Sequence, residues 1–164
     1  MVKGLGAIKA LWLLLLGLWL GMEAGVDFIA APQLFINLKD NTVLAATLAG
    51  KFFRAQNIAG LVIVVLLVVT ALALRHDRMF WKAPAVLLLV CLMFLLIEVF
   101  WIAPQIQDLR GQLGALYGST SAAPKEDAMK VRFDLMHQVS VIRVLIQLLL
   151  GASAFLVAAK RKSA

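Results

Sequence analysis

The chain has 164 residues, 63% of them hydrophobic, and a mean hydropathy of +0.94. Soluble domains carry about 45–50% apolar residues, so a water-soluble fold would leave apolar surface that it cannot bury. The net charge of +7 is spread over the termini and every loop with no basic–aromatic stripe, a pattern that argues against a nucleic-acid surface.

Most of the apolar residues fall in four blocks, each long enough to cross a hydrocarbon core of about 30 Å. The expected fold is therefore all-α: a four-transmembrane-helix bundle in one polytopic domain, with the lipid bilayer as its first partner. The spans are expected at about 8–31, 57–75, 81–104 and 133–159.

The first block starts behind Lys3 and Lys9 and runs free of charge from Ala10 to Met22. Those features resemble a signal peptide, and Met22-Glu23-Ala24-Gly25 faintly resembles a cleavage site. An acid beside the cut, and apolar sequence resuming at Phe28-Ile29-Ala30-Ala31, favour an uncleaved membrane helix closed by Pro32. Gly17, Gly21 and Gly25 form a small-xxx-small ridge, read as tight packing inside the bundle or as a seam for a homo-oligomer or a membrane-complex partner. Glu23 and Asp27 share a face roughly opposite it.

From Asn37 to Gln56 the chain is moderately polar but carries Val43, Leu44, Leu48, Phe52 and Phe53. It reads as a short interfacial helix, capped by Asp40, Asn41 or Thr42, with a break near Gln56-Asn57 before the second span. The tight connection Arg75-His76-Asp77-Arg78 follows, and His76 reads as an ordinary loop histidine. In the third span Trp81 and Lys82 mark one interface and Trp101 and Pro104 the other. Cys91, the only cysteine, reads as a packed core residue that cannot form an internal disulfide. The glycine-containing stretch Arg110 to Lys130 is expected as a long mobile connection without a site, and Lys160-Arg161-Lys162 as a basic anchor.

Phe28-Ile29-Ala30-Ala31-Pro32-Gln33 and Phe100-Trp101-Ile102-Ala103-Pro104-Gln105 align without a gap. They suggest either two parallel helical hairpins from a duplication or simply a common helix exit. With an even number of spans both termini share a side with the short middle loop, and the positive-inside rule assigns that side to the cytoplasm of a bacterial-type inner membrane.

The fourth span holds His137, Ser140, Arg143 and Gln147 within roughly a third of its circumference at about 100° per residue. An ionisable group inside a bilayer costs about 2.5–3.5 kcal/mol on insertion scales, so these residues and the acids of the other spans are expected to meet. Counting 1.5 Å per residue from the prolines places Asp27, Glu98 and His137 in one layer and Glu23 with Arg143 in a deeper one.

Around these residues, Ala31-Pro32-x-Leu34-Phe35, Pro104-x-Ile106-x-x-Leu109-Arg110 and Phe133-x-x-x-His137-x-x-Ser140 with Gln147 resemble the transmembrane-protein-205-like domain family. The resemblance runs from about Leu11 to Ala159. It implies a small four-helix membrane protein of a family catalogued as a domain of unknown function, without catalytic residues to carry over. Where that family tends to place Asn seven residues after the His, this chain has Val144, beside Arg143.

The cluster Glu23, Asp27, Glu98, His137, Ser140, Arg143 and Gln147 is read first as structural, with Arg143 paired to Glu23 or Glu98 and His137 hydrogen-bonded to Asp27 or Ser140. The protein is then a non-enzymatic accessory or interaction subunit, and no cofactor is expected. The alternatives are a metal or haem site using Asp27, Glu98 and His137, or a proton or ion relay. A single intramembrane His excludes a bis-His haem within one chain. No nucleophile–base arrangement, phosphate-binding loop or zinc motif is present.

Overall fold

The computed structural model describes residues 2–73, 83–116 and 123–160, and the side chains of 6–73, 83–112 and 127–160. The expected connection Arg75-His76-Asp77-Arg78, the markers Trp81 and Lys82, residues 117–122 of the Arg110 to Lys130 stretch and Arg161-Lys162 lie outside the described residues.

All the described elements are helical: α1 (Val2–Gly25), a π-helical turn (Val26–Ala30), α2 (Ala31–Asn37), α3 (Thr42–Ala73), α4 (Ala83–Ile97), a second π-helical turn (Glu98–Ile102), α5 (Ala103–Leu116) and α6 (Ala123–Lys160). Four continuous stretches are long and apolar enough to cross a membrane: Gly6–Asn37, Thr42–Ala73, Ala83–Gln112 and Asp127–Lys160. Their outward faces carry Leu14, Leu18, Val62, Met93, Ile142 and Leu149, the last 70% exposed. Water would solvate that belt at great cost, whereas lipid tails accept it. The protein is an integral membrane helix bundle.

α1 and α4 each pack against both α3 and α6, so the four spans form a square with α1 diagonal to α4 and α3 diagonal to α6. One half of the bundle is dry. Trp12, Leu16, Trp19, Val64, Leu67, Val68, Ala71, Ala85, Leu88, Cys91, Leu95, Ala154 and Ala158 form its core, and Cys91 is a buried member as expected. The Trp12 indole donates to the Leu67 carbonyl at 3.1 Å, which sets the antiparallel register of α1 on α3. At the other end α2 lies against α3 and α5 against α6.

Several expectations need correction. Pro32 and Pro104 do not end their spans. A proline inside an α-helix removes one N–H and collides with the carbonyl four residues back. Here the residue before each proline closes a wider ring instead: Ala31 N–H bonds Val26 O, and Ala103 N–H bonds Glu98 O. The extra residue relieves the clash, and the chain continues as α2 and α5. The same backbone device thus stands at both Ala-Pro sites.

Nor does the chain break at Gln56-Asn57. α3 is a single helix of 32 residues, about 48 Å long at 1.5 Å per residue, and so projects well beyond a bilayer core. No proline interrupts it, and both polar side chains are buried within the bundle, so nothing at this point competes with the backbone ladder. Asn41 is its cap, accepting the Leu44 N–H at 3.0 Å. The expected connection from Arg110 to Lys130 is helical through Leu116 and again from Ala123. Gln112 bonds Asp108 one turn back, and Arg132 on α6 reaches Gln105 on α5 at 3.4 Å.

The glycine ridge is not where the helices meet. A Cβ added at Gly21 or Gly25 would meet nothing within 4 Å, and at Gly17 only Phe155 at an ordinary 3.9 Å. The tight approach is at Gly151, where a Cβ would sit 2.6 Å from Leu20 Cδ2 and 2.9 Å from Trp19 Cζ3. Gly151→Ala is accordingly expected to cost about 1–3 kcal/mol, the usual price of overpacking, while Gly21→Ala changes stability by no more than about 0.5 kcal/mol. Thermal unfolding of the two variants in one detergent checks the difference, and equal melting temperatures would refute it.

Candidate functional site

The polar residues collect in the half of the bundle opposite the dry core. Glu98, first residue of the second π-turn, is buried, as is Arg143 on α6. Arg143 Nε lies 3.1 Å from Glu98 Oε2, and Ser140 Oγ donates to Glu98 Oε1 at 3.0 Å. One turn further along α6, the Gln147 amide oxygen accepts from Arg143 Nη1, and its nitrogen donates to the Cys91 carbonyl at 3.0 Å. Ser140, Arg143 and Gln147 recur at helical spacing, so one stripe of α6 satisfies one acid and one carbonyl of span three.

A second stripe runs along α3 toward span one. Gln56 Nε2 donates to Asp27 Oδ2 at 2.7 Å. One turn on, Gly60 lies under Glu23, where an added Cβ would be 3.3 Å from Glu23 Oε1 and 3.1 Å from Trp19 Nε1. The Trp19 indole donates to Glu23 Oε1 at 3.1 Å, and Glu23 is fully enclosed. Both acids of span one are within electrostatic reach of Arg143, which joins the two stripes. Among the described residues four buried atoms lack a hydrogen bond: Glu98 Oε2 and Arg143 Nε, which face each other as an ion pair, and Glu23 Oε2 and Gln56 Oε1, which have no such partner.

Above the network is a cavity of about 320 Å³. Asp27, Gln56, Asn57, Glu98 and Arg143 reach it from below; Arg54, Arg110 and His137 line it further out. Asn57 is buried in its wall, and Phe53, Ile58 and Val141 supply apolar surface. Such an arrangement can hold water or a polar ligand at a depth where lipid offers no hydrogen bonds.

The family model described as "Domain of unknown function (DUF4149)" matches residues 14–115. The chain belongs to this family. No curated protein and no solved structure matches it. The DUF4149 match takes in both π-turns, Glu23, Asp27, Gln56, Glu98 and Arg110, but stops before α6. His137, Ser140, Arg143 and Gln147 therefore complete the site from outside the matched stretch.

Of the residues singled out from the sequence, Glu98, Ser140, Arg143 and Gln147 are in direct contact. Glu23 and Asp27 border the same network through α3. Of the two partners expected for Arg143, Glu98 is the one its guanidinium pairs with. His137 is exposed at the cavity wall, with its ring stacked on Phe133 at 6.3 Å and no hydrogen bond to Asp27 or Ser140. Among the described residues no three His, Cys, Asp or Glu side chains come close enough to hold a metal ion, so Asp27, Glu98 and His137 are not assembled as a ligand set.

Sequence reasoning missed Trp19, Gln56, Asn57, Gly60 and Arg110. Gln56-Asn57 was readable as a polar wall, since two amides at the head of a long apolar run must find partners inside a bundle. Arg110 closes the Pro104-x-Ile106-x-x-Leu109-Arg110 motif and opens the expected connection, and neither place points to a cavity.

Gln147→Leu removes the acceptor for Arg143 and the donor to Cys91 O together. A loss of about 1–3 kcal/mol is expected for the buried groups left unpaired. Chemical unfolding in mixed micelles measures it, and an unchanged midpoint would show that the stripe carries no energy.

Proposed function

We propose that this DUF4149 protein is a non-enzymatic accessory protein of the membrane, whose inner polar network fixes which helix faces which. The observation that carries this reading is the Glu98–Arg143 pair: both side chains are buried, and they bridge spans three and four. Replacing such a pair by apolar residues is often neutral, whereas removing one partner strands a buried charge. That asymmetry is the property of a registry device rather than of a stabiliser.

The narrower kinship with the transmembrane-protein-205-like family belongs to the same proposal. It is supported by Ala31-Pro32-x-Leu34-Phe35 and Pro104-x-Ile106-x-x-Leu109-Arg110, both inside the matched stretch. We propose the inner membrane as its place, with residues 2 and 160 toward the cytoplasm, from the basic residues gathered close to the helix ends on that side. Gly17 and Gly21, with Leu13, Leu14, Leu18, Met22 and Phe155, line a shallow apolar groove on the outside of the bundle, which is the surface an interaction protein would have free for another membrane helix.

Two measurements test the reading. Glu98→Leu and Arg143→Leu are each expected to lower stability by about 3–5 kcal/mol, with the double variant closer to wild type than either. Additive losses would remove the registry argument. A pull-down in mild detergent that yields the protein alone, from cells at native expression, would count against an accessory role.

A second reading, a proton or ion path, is favoured by one observation: Asp27 and His137 line the same polar cavity, and the acid lies within electrostatic reach of the imidazole. Under it, Asp27→Asn slows proton flux into liposomes that carry the protein. Flux equal to wild type would leave the accessory reading alone.

A further inference from the structure

We propose that the outer part of the cavity binds a phosphate group, gripped by Arg110 and Arg54. Arg110 is held in place by three neighbours, none of which is an acid. Its Nη1 donates to the Ala46 carbonyl at 2.8 Å, and its guanidinium lies 5.9 Å over the Phe133 ring. Gly50 provides the room, because a Cβ there would stand 2.6 Å from Nη1. The carbonyl and the ring orient the fork and neutralise none of its charge.

Arg54 follows Gly50 by one helical turn and lines the same cavity, without a hydrogen bond or ion pair among the described residues. The acids in the wall are engaged elsewhere: Glu98 with Arg143 and Ser140, Asp27 with Gln56. Three arginines (54, 110 and 143) face two carboxylates (27 and 98), so the wall carries one formal positive charge in excess, with His137 taken as neutral. A pre-oriented guanidinium with donors to spare matches a phosphate better than it matches any other common anion except a carboxylate.

The rest of the wall says what else the ligand carries. Gln56 lies six residues beyond Gly50 along α3, about 9 Å deeper at 1.5 Å per residue. There Gln56 Oε1 lacks a donor, and Asn57 lines the wall beside it. A hydroxyl group carried by the ligand beyond its phosphate would supply that donor. Ile58 and Val141 belong to the cavity wall and are exposed, apolar surface against which an acyl chain can lie. The shared chemistry is a phosphate, supplied either by the hydroxylated headgroup of an anionic lipid or as the free ion. The site does not depend on whether the network beneath it is structural.

Calorimetric titration of the full chain in a non-ionic detergent with short-chain phosphatidylglycerol, short-chain phosphatidylcholine and inorganic phosphate tests this. Phosphatidylglycerol is expected to bind about ten-fold more tightly than phosphatidylcholine, and Arg110→Gln and Arg54→Gln are each expected to weaken it by about ten-fold. Arg132→Gln, on α6 outside the cavity wall, should leave it unchanged. Arg54 is exposed, so its variant keeps the test intact if Arg110→Gln fails to fold. Displacement of the lipid by inorganic phosphate at similar concentration would support the site with the free ion as ligand; no displacement would support it with the lipid. Equal binding of the two lipids with none of phosphate would overturn the proposal, and so would lipid binding indifferent to both arginine variants.

Discussion

Glu98 and Arg143 are buried together and pair their opposite charges between spans three and four. Moving either charge out of water costs several kcal/mol, and their attraction offsets this only when the remaining donors and acceptors are also met. Ser140 takes the second carboxylate oxygen, and Gln147 takes one guanidinium nitrogen. This requirement dictates the rotation of α6 against span three. Once α6 is turned to serve Glu98, Gln147 reaches the Cys91 carbonyl, and Gly151 lies under Leu20 and Trp19 of α1. The register of three helices thus follows from satisfying one buried pair.

The π-turns shape the end of the bundle next to that pair. Each adds one residue to a helical ring immediately before a proline, which re-phases the residues that follow by about 100° relative to an uninterrupted helix. Without the extra residue, Pro104 would collide with the carbonyl of Phe100 and α5 would leave the bundle in another direction. With it, α5 leans on α6 while α2 leans on α3, and the bundle encloses a polar cavity between them. The prolines are thus part of the cavity's construction. In a membrane such irregular backbone is tolerated where it is covered by protein or lines a wet space; the second turn buries Glu98 and Ile102, and the first reaches the cavity through Asp27.

How much of this the residues announce depends on the range of the interaction. Four spans, an all-helical chain and the convergence of acids with Arg143 follow from the cost of charge in hydrocarbon, which applies whatever the neighbours are. The helix periodicity of Ser140, Arg143 and Gln147 is equally local. The choice of Glu98 over Glu23 is not local, because both acids lie at plausible depths and the packing of α6 against span three decides between them. His137 shows the opposite failure. Its place on the polar stripe is right, yet its ring turns to Phe133 at the exposed wall. The glycine ridge is legible as a feature but is not a contact inside the bundle, since small residues permit close approach without requiring it.

Composition and hydropathy alone determined that the chain crosses a bilayer on four helices, because every long apolar stretch faces the same solvent problem. They also determined that its polar side chains must turn inward. Only the tertiary structure decided which of them touch, that the helices run on through both prolines, and that Arg110 and the Gln56-Asn57 pair share a cavity. Those outcomes depend on helix phase and crossing, quantities set jointly by residues far apart in the chain, and no local pattern encodes them.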